Sequence, residues 1–473
     1  MPGTFFGIET ARRGMNVHQN ALDITGHNLA NASTPGYSRQ EAVITAADPY
    51  ANPTLDSSVT PGQFGTGAEV TMIRRVRDEY LDNSVRNAAT AHYYWEDQIS
   101  VLQRAEACFA EPASAGIGQR IVDFFKSWMD LNNTPQDPGT KASVVQVGEE
   151  LASLMSAAYK QLDDVEKSVA AVNSAVTPPQ VTGGKLADQV NQVNDLLGQI
   201  NNLNTAIVKI YAAGQQPNDL LDKRDRLLEE LSGYGPVEVT FETANGKPTG
   251  EITELKFLGM DITSLNNKLE LAVDNSSGGE EMVLEYGSET VNLTDSCYDS
   301  SRGGSLLGLE RARQQLMGFK EKLNDIATSM RDKIAAVSSP PFFVGDLQSD
   351  DFGDFGVNSA LVDSPELIDG TKAKDIANLR DEDIDPVTKP FTFEEYYSRL
   401  VTEVGGSVKA AGGIADSQLA ISQQITALRD SVSGVAIDEE LTRMIQFQYG
   451  FQASARMINT LDGMLDVIIN RLF

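Results

Sequence analysis

The residues able to do acid–base or metal chemistry are few. His18, His27 and His92 are the only histidines in 473 residues. None lies in an HExxH pattern, which would set two imidazoles and a general base around zinc on one helix face. The same scarcity argues against a histidine-based nucleophilic triad. No GxxxxGK[ST] or GxGxxG is present, so the chain shows no phosphate cradle. Asp381, Asp383 and Asp385 are spaced like the start of a calcium loop. Such a loop needs Gly at its sixth position and Glu at its twelfth, where this chain has Pro386 and Thr392. The run reads as a solvated acidic loop. Cys108 and Cys297 are the only cysteines; they set up no disulfide framework and define no zinc site. With 67 acidic residues, close carboxylate pairs arise by chance, so spacing neither locates nor excludes a glycosidase-type pair. The expectation is a chain without catalytic residues, cofactor or metal.

Composition narrows the partners. A formal charge of -29 argues against nucleic acid, because phosphate binding needs clustered Lys and Arg. No basic amphipathic patch suggests an anionic membrane surface, and no apolar run approaches a membrane span. The first twenty residues place Arg12 and Arg13 after Phe5 and Phe6, the wrong order for a Sec-type signal peptide. On targeting alone the default is cytoplasmic. The length suits about two to four domains.

The most regular stretch is the last. Ile437, Leu441, Met444, Phe451, Ala455, Ile458, Leu461, Leu465, Ile468 and Leu472 follow steps of four and three, with Gln448 filling one position. Ten steps cover the 35 residues from Ile437 to Leu472, a mean of 3.5, the coiled-coil period. Ile445, Met457, Met464, Val467 and Ile469 are apolar on flanking faces, so one partner helix does not cover them all. Such a helix alone is marginal in water. The spacing fits a helix ordered by assembly, and equally an ordinary core helix ending a globular chain.

Residues 4–31 show a weaker version of this seam, through Phe5, Ile8, Ala11, Met15, His18, Leu22, Thr25 and Leu29. Pairing the two ends would make everything between them an insertion. The first helix is expected to stop near Asn31, with Asn in the left-handed conformation. Thr34-Pro35-Gly36-Tyr37 suits a type II turn. Strands are expected over Arg39–Ile44 and Glu69–Ile73, joined by a long loop rich in Pro and Gly. Helices follow from Arg74 to about Tyr234, with breaks at 130–139 and 178–184. Residues 235–304 read as short strands, with Gly287-Ser288 as a hairpin turn. Helix returns from Leu306 to Val337 and again over Tyr396–Val432, interrupted at Gly405-Gly406 and Gly412-Gly413.

The expected fold is mainly α with a β insert: a long helical rod, terminal helices paired as a coiled-coil-like axial domain, and a small β-rich outer domain. The expected division joins 1–33 with 434–473 as the terminal unit. A helical rod would comprise 34–234 with 305–337 and 391–433, carrying a β-hairpin near 37–73. A β-rich insert at 235–304 and an irregular acidic outer segment at 338–390 complete it.

Asn28-Leu29-Ala30-Asn31-Ala32-Ser33-Thr34-Pro35-Gly36-Tyr37-Ser38-Arg39 closely resembles the N-terminal signature of bacterial flagellar rod, hook and hook-associated proteins. Gly65 to Val70, followed by Ile73-Arg74-Arg75 and Asp78 to Leu81, is similar to the next block. Ser433-Gly434-Val435 through Gln446-Phe447-Gln448-Tyr449 to Ala453-Ser454-Ala455-Arg456 resembles the C-terminal signature. Within the family, Pro217 to Asp225 and Gly303 to Gly308 resemble the hook-associated members. The resemblance covers about 1–337 and 391–473 and is weak over 338–390.

The resemblance implies a non-enzymatic junction between hook and filament. It implies export unfolded through the flagellar type III channel, with an export chaperone for the C-terminal helix, and an extracellular place on the flagellum. The implied neighbours are further copies of the chain in a ring or helical layer, hook protein below and hook-associated protein 3 above. Nucleic acid and membrane are not among them. The implied contact residues are Ile8, Met15, Leu22 and Leu29 on the first helix, and Leu441, Met444, Phe451, Ala455, Ile458, Leu465, Ile468 and Leu472 on the last. Asn28, Asn31, Thr34, Pro35, Gly36 and Tyr37 would shape the exit from the first helix; as a plain cap and turn they would look the same. Readings kept beside this one are a hook or rod subunit, an enzyme carried on the flagellum, and a cytoplasmic coiled-coil adaptor.

Overall fold

The computed structural model describes residues 6–49, 65–109, 116–173, 176, 179–244, 247–276, 280–348, 355–385 and 387–470. Most of the expected loop between the first two strands, at 50–64, lies outside the described residues. The first helix, α1 (Phe6–Ala30), leads through a turn into the antiparallel hairpin β1 (Gln40–Ala46) and β2 (Ala68–Arg75). Then come α2 (Glu79–Cys108), α3 (Ile117–Asn133) and α4 (Pro138–Val169). Their starts are written in the sequence: Asp78 accepts from Tyr80 and Leu81 N–H, and Asp137 caps α4 with Pro138 in its first turn.

Two short strands, β3 (Ala171–Asn173) and β4 (Gln180–Gly183), precede α5 (Lys185–Ala212) and α6 (Asn218–Tyr234). The β-rich region holds β5 (Val237–Ala244), β6 (Lys247–Phe257), β7 (Met260–Asp261), β8 (Glu270–Asp274), β9 (Glu281–Tyr286) and β10 (Glu289–Asn292), then a single turn, α7 (Leu293–Ser296). β5-β6-β7 form one sheet. The other runs β10-β9-β8-β4-β3, so it borrows two strands from 171–183, a stretch read from sequence only as a break between helices. Strands of three and four residues are too short to show an alternating pattern. β4 meets β8 through the single pair Gln180–Ala272.

The core helix α8 (Ser305–Val337) carries Glu310 and Arg313, both fully buried and joined at 2.8 Å. Residues 338–390 were expected to be irregular. They hold a small ladder, β11 (Phe343–Val344) with β12 (Gly356–Val357), and the short helices α9 (Ser359–Asp363) and α10 (Ala373–Asn378). The segment is pinned by aromatic packing: Phe342 and Phe343 lie 5.5 and 5.3 Å from Phe124, ring centre to ring centre. Partners more than two hundred residues away cannot be read from local composition.

The last helices are α11 (Phe393–Ser433) and α12 (Ile437–Asn470). A capping box, Thr392 with Glu395, starts α11. The paired glycines do not interrupt it. It is one helix of 41 residues, and Gly412 marks a close approach: a Cβ there would stand 2.9 Å from Ile99 of α2. Helix lies on helix around a core of α2, α3, α4, α8 and α11; the β1–β2 hairpin packs on α1, the β11–β12 ladder on α4 and α8, and the α1–α12 pair joins the chain ends.

Candidate assembly interface

α1 and α12 pack antiparallel. Gly7 lies against Leu461, Gly14 against Ser454, His18 against Gly450 and Phe447, and Asn28 against Glu440. Small residues set the spacing: a Cβ on Gly450 would lie 2.5 Å from the His18 ring. The buried stripe of α1 is accordingly Ala11, Val17, Ala21, Thr25 and Asn28.

Where this pair meets the body, the Asn28 side chain is saturated. Its Oδ1 accepts from the Gln40 N–H at 2.9 Å and from the Tyr37 hydroxyl at 2.8 Å. Its Nδ2 donates to the Gln40 carbonyl at 2.8 Å and to Glu440 Oε2 at 3.0 Å. An amide offers two donors and two lone pairs, and all four are used. Toward Gln40 the amide behaves as a neighbouring strand would. Glu440, only 1% exposed, also meets Arg443 at 3.4 Å.

The turn at 34–37 forms as its residues require. The Tyr37 N–H donates to the Thr34 carbonyl at 3.2 Å, and Gly36 has φ +76°. Asn31 is not left-handed: the described non-glycine residues with positive φ are Leu258 and Leu265. Asn31 closes the helix end with its amide instead, which donates to the His27 carbonyl at 3.0 Å. His27 Nδ1 lies 3.0 Å from the Tyr37 hydroxyl. Burial, then the carboxylates of Asp219, Asp222 and Glu440, push the Tyr37 phenol well above its ordinary range, so it stays a donor.

One face of α6 receives this corner. Asp219, Asp222 and Asp225 recur every third residue and so line one side of the helix. The Gln40 amide donates to Asp219 at 2.8 Å. Ser38 donates its N–H and hydroxyl to Asp222 at 3.0 and 2.8 Å. Arg75 bridges Asp222 and Asp225 at 2.8 and 2.7 Å, and Arg77 reaches Asp225 at 2.7 Å. Burial alone would raise the Asp225 carboxyl, but Arg77 and Arg75 hold it below the usual carboxylate range. The Arg39 N–H donates to the Ser433 carbonyl at 2.8 Å, tying the corner to the end of α11. The arrangement fixes the angle at which two helices leave the body. Among the described residues, no group of three or more His, Cys, Asp and Glu could hold a metal ion. Nor, among them, is any helix long and apolar enough to cross a membrane.

Comparison with known proteins places this architecture. A family model described as the helical domain of flagellar hook-associated protein FlgK matches residues 102–342, half of the chain. The chain belongs to the FlgK family. A model of the flagellar basal body rod FlgEFG protein C-terminal region matches 429–472, and one of the flagella basal body rod protein matches 8–37. Flagellar hook-associated protein 1 of Bacillus subtilis is 27% identical over 516 residues, spanning 99% of both chains. The protein of the same name from Salmonella typhimurium is 24% identical over 570 residues, spanning 98% of this chain and 99% of that one. The flagellar hook junction protein FlgK from Burkholderia pseudomallei, a solved structure, aligns with TM-score 0.43 and 25% identity over 55% of this chain and 44% of its own. Like its family, the chain is a component of the bacterial flagellum.

The stretch 28–39, which resembles the general rod, hook and hook-associated signature, and 217–225, which resembles the hook-associated members, thus face each other in space. Met444, Phe451, Ala455, Ile458 and Leu465 are half-buried along α12, whereas Leu441 is 41% exposed. Ile8, Met15, Leu22 and Leu29 are half-buried flanks of the α1 stripe, not its centre. Thr34, Pro35 and Gly36 are exposed in the turn. The Ile468 side chain and Leu472 lie outside the described residues. Sequence reasoning missed Ser38, Gln40, Arg75, Arg77, Glu440 and the role of the three aspartates; the recurrence of Asp every third residue was the available signal.

Proposed function

We propose that the chain is the structural junction between hook and filament, exported unfolded and assembled through its terminal helices into a ring or helical layer. The observation that carries this is the face α12 leaves uncovered. Among its described residues only Glu440 is buried. Ile437, Ile445, Met457, Met464 and Val467 are 44–59% exposed. Since about half of each side chain is already covered, covering the rest contributes roughly 1 kcal/mol each, which a neighbouring subunit would supply. Charge supports the same surface. Residues 1–33 and 434–473 hold seven acidic and five basic residues, net -2, which leaves -27 of the total -29 on the rest. Highly acidic bodies repel, so copies meet where charge is low.

On this reading the neighbours are further copies, hook protein and hook-associated protein 3, and an export chaperone holds the C-terminal helix before assembly. A segment that is ordered only by partners suits passage through a narrow channel. The role is structural, not enzymatic, and the place extracellular. Deleting 437–473 tests it. The truncated chain is expected to keep its folded centre but support no filament growth; normal filaments from it would overturn the reading.

A further inference from the structure

A second apolar stripe lies outside the terminal pair. Ile414, Ile421, Leu428 and Val432 of α11 are 37%, 42%, 51% and 42% exposed. With Ile425 they follow steps of seven, four, three and four, the heptad rhythm of a helix that packs along another helix. Leu419 and Thr426 face the cleft shared with α2 and α6, so the stripe runs along the opposite flank of α11. Gly412, seven residues before Leu419, lies on that same side against α2, which leaves the stripe clear of α2. We infer that this stripe is a lateral contact between adjacent copies of the chain, made helix against helix. The inference rests on the proposed assembly role of the terminal pair and extends it onto the body.

Two observations point to a second copy as the occupant. Along the chain the stripe leads directly into the exposed residues of α12: Leu428 and Val432 are followed, past the short link at 434–436, by Ile437, Leu441 and Ile445. Charge selects the same partner. From 409 to 433 the charged residues are Lys409, Asp416, Arg429 and Asp430, which cancel. Lys409, Asp416 and Asp430 project from the far side of the helix by spacing, and Arg429 is turned to Glu229 at 2.6 Å. In a chain of net charge -29, this is one of the few long surfaces on which two copies can touch without facing carboxylates.

Cys108 and Cys297 are both buried, so one introduced surface thiol can be addressed selectively. The test places Leu428→Cys, or Leu441→Cys as the control on α12, in the full chain within flagella. Each thiol is labelled with a benzophenone maleimide, which on irradiation captures whatever surface lies opposite it in sheared, intact flagella. Leu428→Cys is expected to yield a covalent dimer of this chain. The pair Ile421→Asp with Leu428→Asp is expected to lower the fraction of filament-bearing cells by about tenfold, with an unchanged melting transition of the purified protein. A dimer from Leu441→Cys but none from Leu428→Cys overturns this inference and leaves the terminal reading intact. Cross-linking of Leu428→Cys only to a different flagellar protein also overturns it. No dimer from either position sinks both. Should the double aspartate variant fail to fold, the cross-link decides.

Discussion

Asn28 Nδ2 donates to Glu440 Oε2 across 3.0 Å and so joins two residues 412 positions apart, one from each terminal helix. The same amide is bonded both ways to the Gln40 peptide. One side chain therefore fixes α1 to α12 and both to the hairpin. Asn28→Asp removes both donors and sets a second carboxylate against a buried one. Each buried partner left unsatisfied costs about 1–3 kcal/mol. In sheared flagella, where α12 is expected to be protected, the expected result is faster amide exchange through α1, α12 and β1, with α8 unchanged. Unchanged exchange at α12 would show that the contact does not hold the pair.

The aspartate face of α6 gives a pH dependence with a definite sign. Asp225 titrates lower in the folded chain than in the unfolded one, whose carboxyl lies near about 3.9. Its contribution is complete above about pH 4 and is lost as pH falls through the lower folded value, so the corner weakens in acid. Asp225→Asn leaves Arg75 and Arg77 without a shared carboxylate and is expected to cost roughly 3–5 kcal/mol. Urea midpoints at neutral pH and near pH 3 check this. The wild-type advantage over the variant should shrink at the lower pH.

The Gly303-Gly304-Ser305-Leu306-Leu307-Gly308 run has a steric cause. A Cβ on Gly308 would lie 2.2 Å from the Tyr94 carbonyl oxygen of α2. Gly304 has φ +93° and its Cβ would meet Gly235 Cα at 2.5 Å. Gly308→Ala, which a free helix would favour by roughly 1 kcal/mol, is expected instead to destabilise the body by about 1–3 kcal/mol. A thermal melt reads the sign directly.

Much of this was legible beforehand, and the failures have physical causes. The two terminal helices, the hairpin and the turn at 34–37 follow from periodicity and from Pro35 and Gly36. The α1 seam was read with Ala11, His18 and Thr25 on it but without Ala21, Asn28 and Gly14, because periodicity weights large side chains and two helices this close meet through small ones, as at Gly14 against Ser454. Asn31 was given a backbone role that its side chain plays instead. The order in 338–390 depends on Phe342 and Phe343 reaching Phe124, a contact with no local signature. The aspartates of α6 drew no role from sequence because Ser38, Gln40 and Arg75, which bind them, lie far off in the chain.

The central claim is that α12 gains its order from neighbouring copies. Amide exchange on the purified monomer and on sheared flagella measures this residue by residue. Fast exchange over Ile437–Asn470 in the monomer, with strong protection in the assembled structure, is the predicted result. Protection in the monomer equal to that of α8 would contradict it.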